Sequence, residues 1–299
     1  MNKNEIEKIL KAGKITKEVR DHARKTIKHD MILIEIAEKI EDKIIELGGK
    51  PAFPTNLSIN EIAAHNTPSY KDKTKARGLL KVDFGVHIDG WTSDNAFTLD
   101  LENSEENKKL ITASEKALES AINLIKQNKE KTIMSEIGRT IQEEIESHKG
   151  LTPIANLSGH SIEAYDLHAG KTIPNVTNSS NSQIGEGIFA IEPFSTTGNG
   201  RVKDGRPSGI YQVVNQKNTR SQLGREILSF IVDEYGTLPF CTRWLIKKFG
   251  TRCLIALKQL EQENILHQYA QLVEVSSAKV AQTEHTILIH DGKVIVIDE

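Results

Sequence analysis

Val82-Asp83-Phe84-Gly85-Val86-His87-Ile88-Asp89-Gly90-Trp91-Thr92-Ser93-Asp94 holds two alternating runs interrupted by Asp89-Gly90. Asp-Gly between such runs favours a two-residue hairpin turn, whose central positions both need positive φ. A turn centred there sets Asp94 opposite Gly85 and leaves Asp83 one diagonal step away. Side chains alternate along a strand and directly opposed residues share a face, so both carboxylates point to one side of the sheet. With no side chain at Gly85 between them, a cation has room. Two solvated carboxylates beside a turn would look the same, so the rest of a metal shell must be sought elsewhere in the chain.

The composition sets bounds. A chain of 299 residues can bury a sizeable core, as one large domain or a main domain with an insertion. Hydrophobic content of 37%, charged content of 27% and a formal charge of -2 describe an ordinary soluble protein and argue against a polyanion binder. No apolar run is long enough to span a bilayer. Met1-Asn2-Lys3-Asn4-Glu5 lacks the basic-then-apolar pattern of a secretory signal. Cys241 and Cys253, far apart, offer neither a disulfide framework nor zinc spacing and are expected to be buried thiols. The expectation is a cytoplasmic protein.

Apolar periodicity predicts helices over 4–28 and 32–47, the second stopped by Gly48-Gly49. Residues 56–65 read as irregular chain leading into a short strand, and 79–99 as the hairpin. Ser104 caps a long helix, and another covers about 135–148. Strands are expected near 152–162, 187–193, 271–276, 281–290 and 293–298, with Asp291-Gly292 marking a second hairpin. Helices packed on one side of a mostly antiparallel sheet give an α+β class. Three short helices over about 222–235, 240–249 and 252–263, followed by a small wing within 266–275, form a helical insertion over 210–272. Its mixed charge argues against duplex binding.

Further candidate ligands lie in or beside apolar strand sequence. His160 stands in Leu157-Ser158-Gly159-His160-Ser161-Ile162, with His168 eight residues on. Glu192 interrupts Phe189-Ala190-Ile191-Glu192-Pro193-Phe194, where an unpartnered carboxylate is expensive to bury. Glu284 precedes the apolar run Ile287-Leu288-Ile289 and shares a face with Gln282 and Thr286. Four carboxylates and one imidazole suit two Mn²⁺, Co²⁺, Fe²⁺ or Zn²⁺ ions better than a structural zinc. Spacing alone does not establish that they converge. His87 shares a face with Asp83 and is assigned no more than a contact to a ligand; His267 is expected in a helix or surface turn.

The chain as a whole resembles the type II methionine aminopeptidases in their short archaeal form. The resemblance rests on Phe53-Pro54-Thr55-Asn56-Leu57-Ser58-Ile59-Asn60-Glu61-Ile62-Ala63-Ala64-His65, on the Asp83…Asp94 hairpin, on Gly159-His160-Ser161-Ile162 and His168-Ala169-Gly170-Lys171, and on Gln282-Thr283-Glu284-His285-Thr286. It implies a pita-bread fold of two halves related by a pseudo-twofold axis. The catalytic domain would comprise 1–209 and 273–299, with 210–272 a winged-helix-like insertion. By the same resemblance Asp94 and Glu284 bridge two metals, Asp83 completes one site, and His160 with Glu192 completes the other. His65, His168 and Glu192 would be catalytic, and Phe53, Leu167 and Phe240 would line a methionine pocket with His65 and His168. Glu163 departs from the pattern, standing where the family usually has glycine.

The implied activity is removal of an N-terminal methionine followed by a small residue, from peptides or nascent chains. The protein would act as a monomer, away from membranes, with transient ribosome association left open. Two rivals stand beside it. Proline-directed peptidases share the fold and the cluster, but the insertion and the Phe53 segment argue against them. Non-catalytic relatives that bind protein or nucleic acid have lost ligands, whereas all five positions and both histidines are kept here.

Overall fold

The computed structural model describes residues 1–215 and 217–299. Helix α1 (Lys3–Thr26) starts at a capping box: Asn2 accepts from the Glu5 amide (3.0 Å), and Glu5 accepts from the Asn2 amide (2.7 Å). Such a cap is worth about 1 kcal/mol. After α2 (Leu33–Glu46) come the short strands β1 (Lys50–Pro51), β2 (Asn56–Ile59) and β3 (Ile62–Ala64). Residues 56–65 thus hold two strands where mostly irregular chain was expected.

The hairpin pairs β4 (Leu79–Ile88) with β5 (Trp91–Asp100) in the register that the Asp-Gly turn dictates, Gly85 opposite Asp94 and Asp83 opposite Ala96. Asp89 (φ 49°) and Gly90 (φ 84°) both take the left-handed conformation, as a type I′ turn requires. Alternation then divides β4. Leu80, Val82, Phe84 and Val86 pack under α1 and α2 with Val19, Ile36, Ile40 and Ile44. Lys81, Asp83, Gly85 and His87 face the other way. Strands β1 and β2 flank β4.

The second half repeats the plan. Helices α3 (Glu105–Asn128), capped by Ser104, and α4 (Met134–Ser147) cover the second half-sheet. That sheet is formed from β7 (Ser158–Ile162), β8 (Thr172–Pro174), β9 (Gly187–Ile191), β15 (His285–His290) and β16 (Lys293–Val296). Leu110, Ile125, Ile137 and Ile141 meet Phe189, Ile191, Ile287 and Ile289 beneath it. The run 152–162 is not one strand: β6 (Thr152–Pro153) pairs with β10 (Phe194–Thr196), and β10 with β14 (Val280–Gln282). Residues 281–290 likewise break at Thr283-Glu284, which lets Glu284 bridge to Ala96. Glu284 donates its amide to Ala96 O (2.9 Å), joining the two halves into one curved surface. This is the pita-bread fold.

A long strand, β11 (Val202–Val213), was not expected; it pairs with β13 (Leu266–Glu274) and β12 (Phe240–Cys241). The expected wing is therefore the single strand β13, which also pairs with β3. Between β11 and β13 lie α5 (Gln222–Tyr235), α6 (Thr242–Phe249) and α7 (Cys253–Gln262), built around Ile227, Ile231, Phe240, Leu245, Leu257 and Leu260. Cys241 and Cys253 are free, buried thiols. Among the described residues no helix is long and apolar enough to cross a membrane.

Candidate metal centre and substrate cavity

The concave side of the curved sheet opens into a cavity of about 310 Å³ whose lining includes Asp83, Asp94, His160, Glu192 and Glu284. Each reaches it for a local reason. Asp83 and Asp94 lie on the face of the hairpin turned away from the helices. His160 projects from β7, two residues before the strand ends. Glu192 follows β9 at the point where Pro193 stops the ladder, and Glu284 fills the break between β14 and β15. Ligand atoms of Asp94, His160 and Glu284 lie within 4.8 Å of one another, and His160 Nε2 is 3.7 Å from Asp94 Oδ2.

Four carboxylates crowd this floor, and none bonds a lysine or arginine among the described residues. Lys171, on the wall, donates to the Ile184 carbonyl instead (2.9 Å). Burial raises the Asp83 carboxyl to about 7 against a hydrogen bond from Gln282. Burial, then the charge of Asp83, pushes Asp94 well above the carboxylate range. Desolvation, then Asp83 and Asp94, does the same to Glu192. Burial followed by Asp94, Glu192 and Asp83 raises Glu284. Asp94 Oδ1 and Glu284 Oε1 are buried with no hydrogen-bond partner. Unpaired oxygens at such a density are untenable as anions without a cation. His160, held down to about 3 by burial and by His168, is neutral and can donate a lone pair. This donor set fits divalent ions of intermediate hardness. A second trio, Glu186, His290 and Asp291, gathers at the β15–β16 turn, where Glu186 and Asp291 are exposed.

Gln282, expected only to share a face with Glu284, ties the floor together. Its amide donates to Glu192 Oε1 (2.8 Å) and reaches Asp83 Oδ2 (3.5 Å). Its place on an alternating strand beside Glu284 was the available signal. Tyr269 also lines the cavity, with its ring 5.2 Å from that of His65. Reading β13 as a wing concealed it. His267, on β13 rather than a helix or surface turn, stacks edge-on to Tyr269 at 5.1 Å.

His65 and His168 both line the cavity. His65 takes a left-handed backbone (φ 57°) and its Nδ1 lies 3.3 Å from Ala270 O. A non-glycine residue in that region stores strain, a recurrent feature of functional sites. Desolvation, then His168, lowers its pKa to about 4. The His168 ring lies 4.3 Å from that of His160. Phe53 and Leu167 form an apolar wall.

Two expectations need correction. Phe240 is absent from the cavity lining: it is wholly buried in the insertion core, stacked on Tyr235 at 5.5 Å and Tyr211 at 6.1 Å. The neighbouring Pro239 reaches the cavity instead. His87 touches no carboxylate of the floor, because its Nδ1 accepts from the Gly90 amide (3.0 Å) and its ring leans towards Tyr165.

The chain belongs to the metallopeptidase family M24, whose model matches residues 7–291. Within it, the methionine aminopeptidase of Pyrococcus abyssi is 46% identical over 300 residues, covering 99% of this chain and 100% of that one. Among solved structures, a thermophilic Arx1 superposes with a TM-score of 0.83 at 18% identity over 99% of this chain and 91% of that one. A methionine aminopeptidase from Thermotoga maritima gives a TM-score of 0.71 at 23% identity, covering 100% and 98%. Both structural likenesses speak for the fold.

Proposed function

We propose that this chain is a type II methionine aminopeptidase of the short archaeal form, removing N-terminal methionine when the second residue is small. The observation that carries the reading is the meeting of Asp83, Asp94, His160, Glu192 and Glu284 on one cavity floor, beside two histidines and an apolar wall. Full-length likeness to methionine aminopeptidases supports it. The three-helix insertion, 210–272 against a catalytic unit of 1–209 and 273–299, supports the type II assignment.

Asp94 and Glu284 would bridge two divalent ions, Asp83 would complete one site, and His160 with Glu192 the other. Co, Mn, Fe(II) and Zn all suit such a shell. Bound there, the pair supplies an activated water and polarises the scissile carbonyl. Glu192, held by Gln282, takes the water's proton and returns it to the leaving amine. His168 donates to the oxygen on which charge develops, and His65 faces the leaving nitrogen. The free α-amino group of the substrate meets the carboxylate floor, which confines cleavage to the chain end. Phe53 and Leu167 hold the methionine side chain, whose sulfur packs well against an aromatic ring. The reading places the protein in the cytoplasm as a monomer acting on peptide and nascent-chain N-termini, the latter through transient contact with the ribosome.

The test is methionine release from Met-Ala-Ser by metal-free protein to which single metals are titrated back. Ala-Pro and X-Pro peptides run alongside. Release from Met-Ala-Ser alone is expected; cleavage next to proline instead would place the chain with the proline-directed peptidases.

A further inference from the structure

Glu41, on α2, and Arg243, on α6, meet in the interior at 5% and 1% exposure, outside the metal floor and the cavity lining. Their contact is a parallel fork, Nη1 to Oε2 at 2.7 Å and Nη2 to Oε1 at 2.8 Å. Trp244 Nε1 donates to Oε2 (2.8 Å). The remaining bonds all land on one strap of chain. The Thr55 amide donates to Glu41 Oε1 (3.2 Å), and Arg243 Nε donates to Pro68 O (3.3 Å). Arg243 Nη2 also reaches Thr67 Oγ1 (3.4 Å), which in turn donates to Thr55 O (2.9 Å). One ion pair from the helical insertion and α2 thus clasps both ends of residues 55–68. Within the strap lies His65 with its strained backbone, and Phe53 sits two residues ahead of it.

Holding the insertion in place does not require this arrangement. A buried ion pair loses in desolvation much of what it gains by attraction, and an apolar pair of equal volume often serves stability as well or better. What the charges add is direction: a bidentate guanidinium–carboxylate fork fixes an angle as well as a distance. Four donors converging on a single carboxylate transmit that geometry to the strap.

We propose that Glu41 and Arg243 are positioning residues through which the helical insertion sets Phe53 and His65 against the carboxylate floor, and so sets selectivity for the methionine side chain. The proposal rests on the aminopeptidase reading, through the roles given to Phe53 and His65.

The test uses the full chain loaded with Mn²⁺, as Arg243→Met and Glu41→Gln, with Leu257→Ala in the insertion core as a variant that weakens the subdomain without touching the strap. Displacement of a reacting group by about 1 Å can cost about 100-fold. The strap variants should therefore lose about 10- to 100-fold in kcat/KM on Met-Ala-Ser. Their preference for N-terminal methionine over leucine should shrink. Backbone hydrogen exchange should rise over residues 53–68 and not over 79–100, and Mn²⁺ affinity by calorimetry should stay within about 2-fold of the parent. Leu257→Ala should lower Tm while keeping the methionine preference. Should Arg243→Met fail to fold, Arg243→Lys, which keeps the charge and loses the fork, carries the same expectation. Unchanged preference in the strap variants, or an equal loss in Leu257→Ala, overturns the proposal and leaves the enzyme reading intact. An unsubstituted protein that releases no methionine with any metal overturns the enzyme reading first, and the proposal with it.

Discussion

The ring of Phe53 occupies the space above Gly85: a methyl group built on Gly85 would fall 2.5 Å from Phe53 Cε1 and 2.9 Å from Ala52 Cβ. Gly85 is also the residue directly across the hairpin from Asp94. The space expected to be left for a cation is thus filled by Phe53 and Ala52, and the bare position serves to let the pocket wall close down on the strand. Gly85→Ala should displace the Phe53 ring at a stability cost of about 1–3 kcal/mol. Steady-state kinetics on Met-Ala-Ser should show KM rising with metal content preserved. A variant with wild-type KM would mean that Phe53 does not hold the substrate side chain.

Glu192→Gln preserves the shape of the side chain and its neighbour Gln282, but cannot take a proton. General acid–base catalysis is worth about 10²–10⁴-fold, so kcat should fall by that order while Tm changes little. Single-turnover release of methionine is the measurement. Activity within a few-fold of the parent would assign the proton transfer elsewhere.

Metal uptake should depend steeply on pH. In the metal-free protein Asp83 is raised to about 7, and Asp94, Glu192 and Glu284 are also raised, so protons occupy the floor at neutral pH. Divalent ions must displace them, so apparent affinity rises as pH increases through about 7 and falls below it. His160, whose pKa burial and then His168 hold down to about 3, is already neutral at these pH values and adds nothing to the slope near neutrality. Calorimetry in buffers of different ionisation enthalpy should register proton release on Mn²⁺ binding. A flat affinity between pH 6 and 8 would contradict the crowding of these carboxylates.

Phe53→Ala and Phe240→Ala should part company. Phe240 is fully buried among Tyr211, Tyr235 and the insertion core, so its truncation should cost about 3–5 kcal/mol in urea unfolding with KM almost unchanged. Phe53→Ala should raise KM with a smaller stability loss. Reversal of the two patterns would return Phe240 to the pocket.

Local signals made much of this fold legible. Asp89-Gly90 specified the β4–β5 register to the residue, because a two-residue turn leaves no slack. Among the described residues the seven α-helices followed from apolar stripes and caps such as Ser104. What escaped was set by distant pairing. The β11 segment Val202-Lys203-Asp204-Gly205-Arg206-Pro207-Ser208-Gly209 reads as turn, with five of its residues exposed, and becomes strand only by pairing with β13. Phe240 was misplaced because a buried aromatic looks alike in a pocket wall and a packed core. His87 shares the parity of Asp83, but parity does not show that a ring turns back onto the Gly90 amide. The convergence of His160, Glu192 and Glu284 on the hairpin is likewise a property of the closed sheet that no spacing encodes.

Glu284 enters the cage through its bridge to Ala96, a partner 188 positions earlier in the chain. During synthesis the hairpin and strands β7 to β9 emerge long before the segment that joins them, so a polypeptide halted upstream of that joint has Asp83, Asp94, His160 and Glu192 but lacks both Glu284 and the β15 strand that closes the vessel around ions. Retention of metal through gel filtration would then count completed molecules, and truncated translation products should elute bare.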